Sequence, residues 1–205
     1  MHFRLPYLAG PLAGIIFFSA VYGLAPMLGS YSHVAQTVSE IGKYGSPAKI
    51  PFQAAVLTVA FCLLVFAGSL YRFAKSRGAS LVPSCLMAVF GFAEMGMAIF
   101  PSPHPLHNVF GLSAIIGYLT PLAVAVAWRN LRDSSSLRRF AWVAFALVVL
   151  TMFLNLSPIF SRDLYPLEYY GIVQRSLLLT FFGWCFYVGV DLYMRTRPSD
   201  ARRIR

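Results

Sequence analysis

Two residues of this chain carry charge where charge is expensive. Glu94 and Arg175 each interrupt a long apolar run. An ionisable group in hydrocarbon costs roughly 2.5–3.5 kcal/mol on insertion scales, so it is usually paired or functional. At 1.5 Å of helix rise per residue, Glu94 lies about 10 Å below the end of its run near Pro101. By the same rise Arg175 lies about 8 Å below the start of its own near Tyr170. Matching depth and opposite charge predict a contact between the two. Such a contact is either a structural tie between helices or part of a site.

Further polar groups stand just above that level. In the segment 29–51 the spacing of His33, Gln36 or Thr37, and Glu40 puts them on one face of a short amphipathic helix predicted over 32–41. Gly42 takes that helix's stop position. A second segment reads Pro101, Ser102, Pro103, His104, Pro105, Leu106, His107, Asn108. Pro105 suits the first position of a helix, so His104 and His107 flank its first turn. Imidazoles beside carboxylates such as Glu40, Asp163 and Glu168 are a donor set for zinc or another transition metal, with His33, His104 and His107 the ligands. Alongside such a metal, Glu40 or His107 is the candidate general base and Arg175 the partner of an anionic group. A nucleophile is missing from this set: Ser39 adjoins Glu40 in sequence, and neighbours on a helix do not face each other.

The elements that position these groups follow from composition. The chain has 205 residues, 58% hydrophobic and 12% charged. Lipid is the natural solvent for such a chain. Its net charge of +10 does not indicate nucleic acid, because the basic residues fall in short clusters between apolar runs rather than among aromatics on one wet face. Six runs are long enough to cross a bilayer as helices: 5–28, 52–71, 81–100, 109–128, 140–160 and 172–193. The predicted architecture is therefore an all-α, polytopic membrane bundle of six transmembrane helices. The run 5–28 is too long for the apolar part of a signal peptide and is expected to remain as the first span.

Thirteen of the seventeen Lys and Arg residues fall on the side of Arg4, Lys75, Arg132 and the C-terminal run, against Lys43, Lys49 and Arg162 on the other. The excess of positive charge predicts both termini in the cytoplasm, and His33, Glu40 and His107 outside. Residues 1–194 form one domain on this reading, and 195–205 a basic cytoplasmic tail. Trp128, Trp142, Tyr71 and Tyr193 are expected in the inner aromatic belt. Gly10 and Gly14 have the small-xxx-small spacing of close helix packing. Cys62, Cys85 and Cys185 lie inside apolar runs and read as buried thiols.

The stretch 31–45 with its core Thr37, Val38, Ser39, Glu40, Ile41, Gly42 resembles the segment after the first helix in the prokaryotic membrane family called domain of unknown function 998. Phe100, Pro101, the short polar insert with His107 and Asn108, and Gly171 to Arg175 with Gln174 before the arginine are similar to its other recurring features. The resemblance covers nearly the whole chain and implies a multi-pass protein of a prokaryotic plasma membrane. It also implies that Ser39, Glu40, His107, Gln174 and Arg175 are the recurrent polar residues. The family assigns no activity.

Three functions fit these residues. One is a hydrolase or transferase acting on a lipid or lipid-linked substrate at the outer leaflet, with Glu40 or His107 catalytic and Ser39, Gln174, Arg175 and Glu94 binding substrate. The second is a non-enzymatic module binding a lipid or a partner. The third is a small transporter or proton pathway; against it, no polar chain links Glu94 to Asp191 and no paired broken helices are evident. On all three, membrane lipids are partners, and His33, Glu40, His107, Gln174 and Arg175 converge on a pocket for an anionic or lipid-derived group.

Overall fold

A computed structural model of the chain describes residues 4–131, 135–161 and 164–196. The expected basic tail beyond Thr196, together with Arg132, Arg162 and Asp163, lies outside the described residues. Six helical segments are long and apolar enough to cross a membrane: Leu5–Leu28, Lys49–Ser76, Val82–Ile99, Pro105–Ala127, Ser135–Ile159 and Leu167–Arg195. Each overlaps one predicted run, and no strand occurs among the described residues.

The α-helices are α1 (Ala9–Leu24), α2 (Lys49–Ser76), α3 (Val82–Ile99), α4 (Pro105–Gly117), α5 (Thr120–Ala127), α6 (Ser135–Leu156) and α7 (Tyr170–Arg195). They pack as a ring in chain order: α1 on α2, α2 on α3, α3 on both α4 and α5, α5 on α6, α6 on α7, and α7 back on α1. Aromatic rings fill its centre, with Phe90 and Phe181 at 4.4 Å between centroids, Tyr118 and Phe181 at 4.8 Å, and Phe17 stacked on Phe182 at 4.8 Å. The small residues of α1 serve this packing. A Cβ on Gly10 would stand 2.9 Å from the Cys185 carbonyl oxygen and 3.1 Å from the Phe66 ring, so α1 meets α7 and α2 backbone to side chain inside one chain. Outward-facing Phe61, Phe92 and Leu179 are apolar because their solvent is hydrocarbon.

The fourth span is one run in sequence but two helices in space. Pro121 has no N–H for the Gly117 carbonyl, and the Thr120 hydroxyl donates to that carbonyl instead at 2.5 Å. The break at Tyr118 and Leu119 lets α4 follow α3 while α5 packs against both α3 and α6. Among the packed helix pairs α4 and α6 do not appear.

The segment between α1 and α2, here loop 1, corrects the expectation of an amphipathic helix over 32–41. It forms a turn at 33–35 and a single 3-10 turn at Val38–Glu40. Thr37 between them is extended, at φ −72° and ψ 156°. The Glu40 carboxylate reaches back to the Thr37 N–H at 2.8 Å, one arm of a capping box that starts a new turn rather than continuing an old one. Gly42 is no left-handed stop either; the positive-φ glycines among the described residues are Gly29, Gly45 and Gly78. Trp128 also departs from expectation. It is 1% exposed, with its indole N–H donating to the Ser80 carbonyl, whereas Trp142 at 46% faces outward as a belt residue does.

Candidate functional site

Loop 1 is held to one end of the bundle by α7. A Cβ on Gly171 would stand 2.5 Å from the Gln36 oxygen and 2.7 Å from those of His33 and Val34, so only glycine admits this approach. The Ile172 N–H donates to the Val34 carbonyl at 3.1 Å. One turn deeper, Gln174 Oε1 accepts the Val38 N–H at 2.8 Å. Arg175 Nη1 donates to the carbonyls of Gln36 and Gly171, each at 2.8 Å, and Nη2 donates to the Tyr31 hydroxyl, which in turn donates to the Thr37 carbonyl at 2.7 Å.

These contacts correct the expected ion pair. Arg175 bonds neutral oxygens, and no ion pair joins it to Glu94; the pair resolved among the described residues is Arg195 with Asp191 at 2.5 Å, at the opposite end of α7. Equal depth along two helices does not fix the direction in which each side chain points. Glu94 is 4% exposed and makes no hydrogen bond with a described residue.

The α3–α4 connection places His107. Met97 lacks its helical hydrogen bond because the fourth residue on is Pro101, which has no N–H. His107 Nδ1 satisfies this end of α3, at 3.3 Å from the Met97 oxygen and 3.0 Å from that of Phe100. Both partners only accept, so Nδ1 carries the proton and Nε2 of the neutral ring is a lone pair. That lone pair faces Ser39 Oγ at 3.0 Å. Ser39 and His107 are thus a hydroxyl and a base in contact, the base oriented from behind by backbone carbonyls. The helical expectation for loop 1 hid this pairing, because it turned Ser39 toward no partner.

Ser39, His107, Gln174 and Glu94 line one cavity of about 570 Å³. Tyr118, at the break in the fourth span, and Asn155 on α6 also line it, and Asn155 Oδ1 is buried without a partner. Neither was singled out in sequence, although a lone asparagine in the apolar run of span five carries the same polar-in-hydrocarbon signal as Glu94. The Ser39 N–H stands outside the hydrogen bonds of its turn, which begin at Glu40 N and Ile41 N. With Gln174 Oε1 engaged by Val38, the amide NH₂ of Gln174 is the part of that side chain left for the cavity.

The other expected site residues lie elsewhere. Glu40 lines neither this cavity nor its neighbour; its carboxylate accepts from Thr37 N, Thr37 Oγ1 and Gln36 Nε2 at 2.8, 3.1 and 2.9 Å. Partial burial pushes its pKa up, but the bonds from Gln36 and Thr37 outweigh burial and hold it below the ordinary carboxylate value. His33 lines a second cavity with Arg175, and burial together with the Arg175 charge holds its imidazole below the usual histidine value. His104 caps α4, its Nδ1 accepting the Leu106 N–H at 3.2 Å. The zinc set His33, His104 and His107 is therefore not assembled. No group of three His, Cys, Asp or Glu side chains suited to a metal occurs among the described residues.

Fold and site together define an integral membrane protein of six helical spans with a polar cavity at the end that loop 1 covers. The chain belongs to the family described as Protein of unknown function (DUF998), and the match covers residues 11–191. No curated protein and no solved structure matches it.

Proposed function

We propose that the chain is a serine-dependent hydrolase or transferase acting on an acyl ester of a membrane lipid or lipid-linked substrate at the outer leaflet. The observation that carries this reading is the 3.0 Å contact between Ser39 Oγ and His107 Nε2, with Nδ1 fixed 3.0 Å from the Phe100 oxygen. A hydroxyl is a poor nucleophile until a base takes its proton, and that base must hold the right tautomer. Here backbone carbonyls do the work a carboxylate does in a triad.

In the reaction, Ser39 Oγ attacks the ester carbonyl while its proton passes to His107 Nε2. The oxyanion faces the Ser39 N–H and the Gln174 amide. Collapse forms the Ser39 ester and expels the lipid alcohol, which takes the proton back from His107. Water, or an acceptor hydroxyl for transfer, then attacks that ester with His107 again as base, and its collapse restores Ser39. Glu40 and Arg175 hold loop 1 and are positioning residues on this reading.

The lipid substrate is supported by the walls. Gly111, Leu112 and Ile115 of α4 and Met152 and Leu156 of α6 form an apolar wall of the cavity. Leu112 and Ile159, which also line it, are 60% and 79% exposed, so this wall reaches the bundle surface, where the solvent is hydrocarbon.

A long-chain alkyl fluorophosphonate tests the reading without knowledge of the natural substrate, since it labels serines that a base activates. Ser39 is expected to be labelled in membranes, with labelling abolished in Ser39→Ala and reduced about 10²-fold or more in His107→Gln. A folded wild-type protein that takes no label at Ser39 would make the contact a structural tie between loop 1 and α4.

A further inference from the structure

The second cavity, of about 740 Å³, lies between α1 and α7 and meets loop 1 at His33 and Val34. Ile15 and Phe18 of α1 and Leu179 and Phe186 of α7 form its walls; at its floor Gly14, whose Cβ would stand 3.2 Å from that of Phe182, lets α1 approach α7, and Gly183 leaves space open. From Arg175 to Phe186 the groove follows eleven residues of helix, roughly 16 Å at 1.5 Å each. That is about half of a 30 Å hydrocarbon layer, the depth of one leaflet.

The head of this apolar groove is cationic. Arg175 is 6% exposed, bonds neutral oxygens alone, and keeps its Nε buried without a partner. His33 Nδ1, beside it, is also buried without a partner. A desolvated guanidinium is costly until an anion completes it. No carboxylate lines the cavity among the described residues, so the ammonium of a zwitterionic headgroup would meet no countercharge.

The geometry points to a binding site for one anionic phospholipid, with an acyl chain along the α1–α7 groove and its phosphate at Arg175 and His33. This site is separate from the Ser39 cavity, and its occupancy does not depend on any reaction there. Arg175 and Ser39 are also linked through loop 1: Gln36, which Arg175 holds, is three residues from Ser39, at most about 11 Å between α-carbons.

Native mass spectrometry of the full chain taken from nanodiscs of phosphatidylglycerol or of phosphatidylcholine tests the site. One retained phosphatidylglycerol per chain is expected, at least tenfold more than phosphatidylcholine. Gly183→Phe supplies the second arm, because a Cβ at Gly183 meets nothing within 4 Å and the ring would fill the groove while leaving Arg175 and loop 1 intact. It should cut retained phosphatidylglycerol at least tenfold with no fall in unfolding temperature in lipid-free detergent. Equal retention of both lipids by the unaltered protein overturns the proposal, as does undiminished retention by folded Gly183→Phe. The two-lipid comparison needs no variant and is decisive by itself.

Discussion

Gly171→Ala should detach loop 1 from the bundle and separate Ser39 from its base. The new Cβ would stand 2.5 Å from the Gln36 oxygen and 2.7 Å from those of His33 and Val34. All three are backbone atoms of one tight turn, so none can yield alone. Lifting the turn breaks the Ile172–Val34 and Val38–Gln174 hydrogen bonds and those from Arg175 to Gln36 and Tyr31. At about 1 kcal/mol net for each of the four, the loss is about 4 kcal/mol. The helix preference of alanine over glycine returns at most about 1 kcal/mol. The remaining 3 kcal/mol or so shifts the docked–lifted equilibrium on the order of a hundredfold. Hydrogen exchange in nanodiscs reads this at the Val38 and Ile172 amides, which should lose that factor of protection, and fluorophosphonate labelling of Ser39 should fall with them. Gly183→Ala, where the added Cβ meets nothing, is the matched control and should not lose stability. Wild-type protection of Val38 and Ile172 in Gly171→Ala would refute the claim that this glycine seats the loop.

Glu40 is held below the ordinary carboxylate value of about 4.5, so the stability it gives loop 1 is complete above that value and is lost as pH falls through the lower folded-state value. Thermal unfolding followed downward from about pH 5 should show this loss in the wild type and a smaller one in Glu40→Gln. Glu94→Gln and Arg175→Gln should act additively on unfolding, within about 0.5 kcal/mol, because the two side chains share no partner and line different cavities; a larger coupling in the double mutant would restore the ion pair. His104→Ala removes the cap on α4 and should cost about 1 kcal/mol, measured by denaturant unfolding in mixed micelles.

Much of the candidate site was visible before the fold. Gln174 and Arg175 follow the one glycine that lets loop 1 approach α7, and Pro105 starts α4 where proline should, setting His107 in its first turn. Glu94 announced itself as a charge in an apolar run. The reading failed where it treated loop 1 as a helix. Helical periodicity cannot register that Glu40 caps Thr37 and breaks the segment into turns, and so it gave Glu40 a catalytic face and Ser39 none.

The six spans were determined by the sequence alone, because a backbone in hydrocarbon must satisfy its own hydrogen bonds and a run of about 20 apolar residues can do so only as a helix. Which polar residues meet was decided by tertiary structure. Depth along a helix follows from counting residues, but direction around its axis depends on neighbours that lie far away in the chain. Glu94 turns into the Ser39 cavity and Arg175 into the α1–α7 groove for that reason. The contact between Ser39 and His107 spans 68 residues and exists because Pro101 left a carbonyl at the end of α3 for His107 to hold.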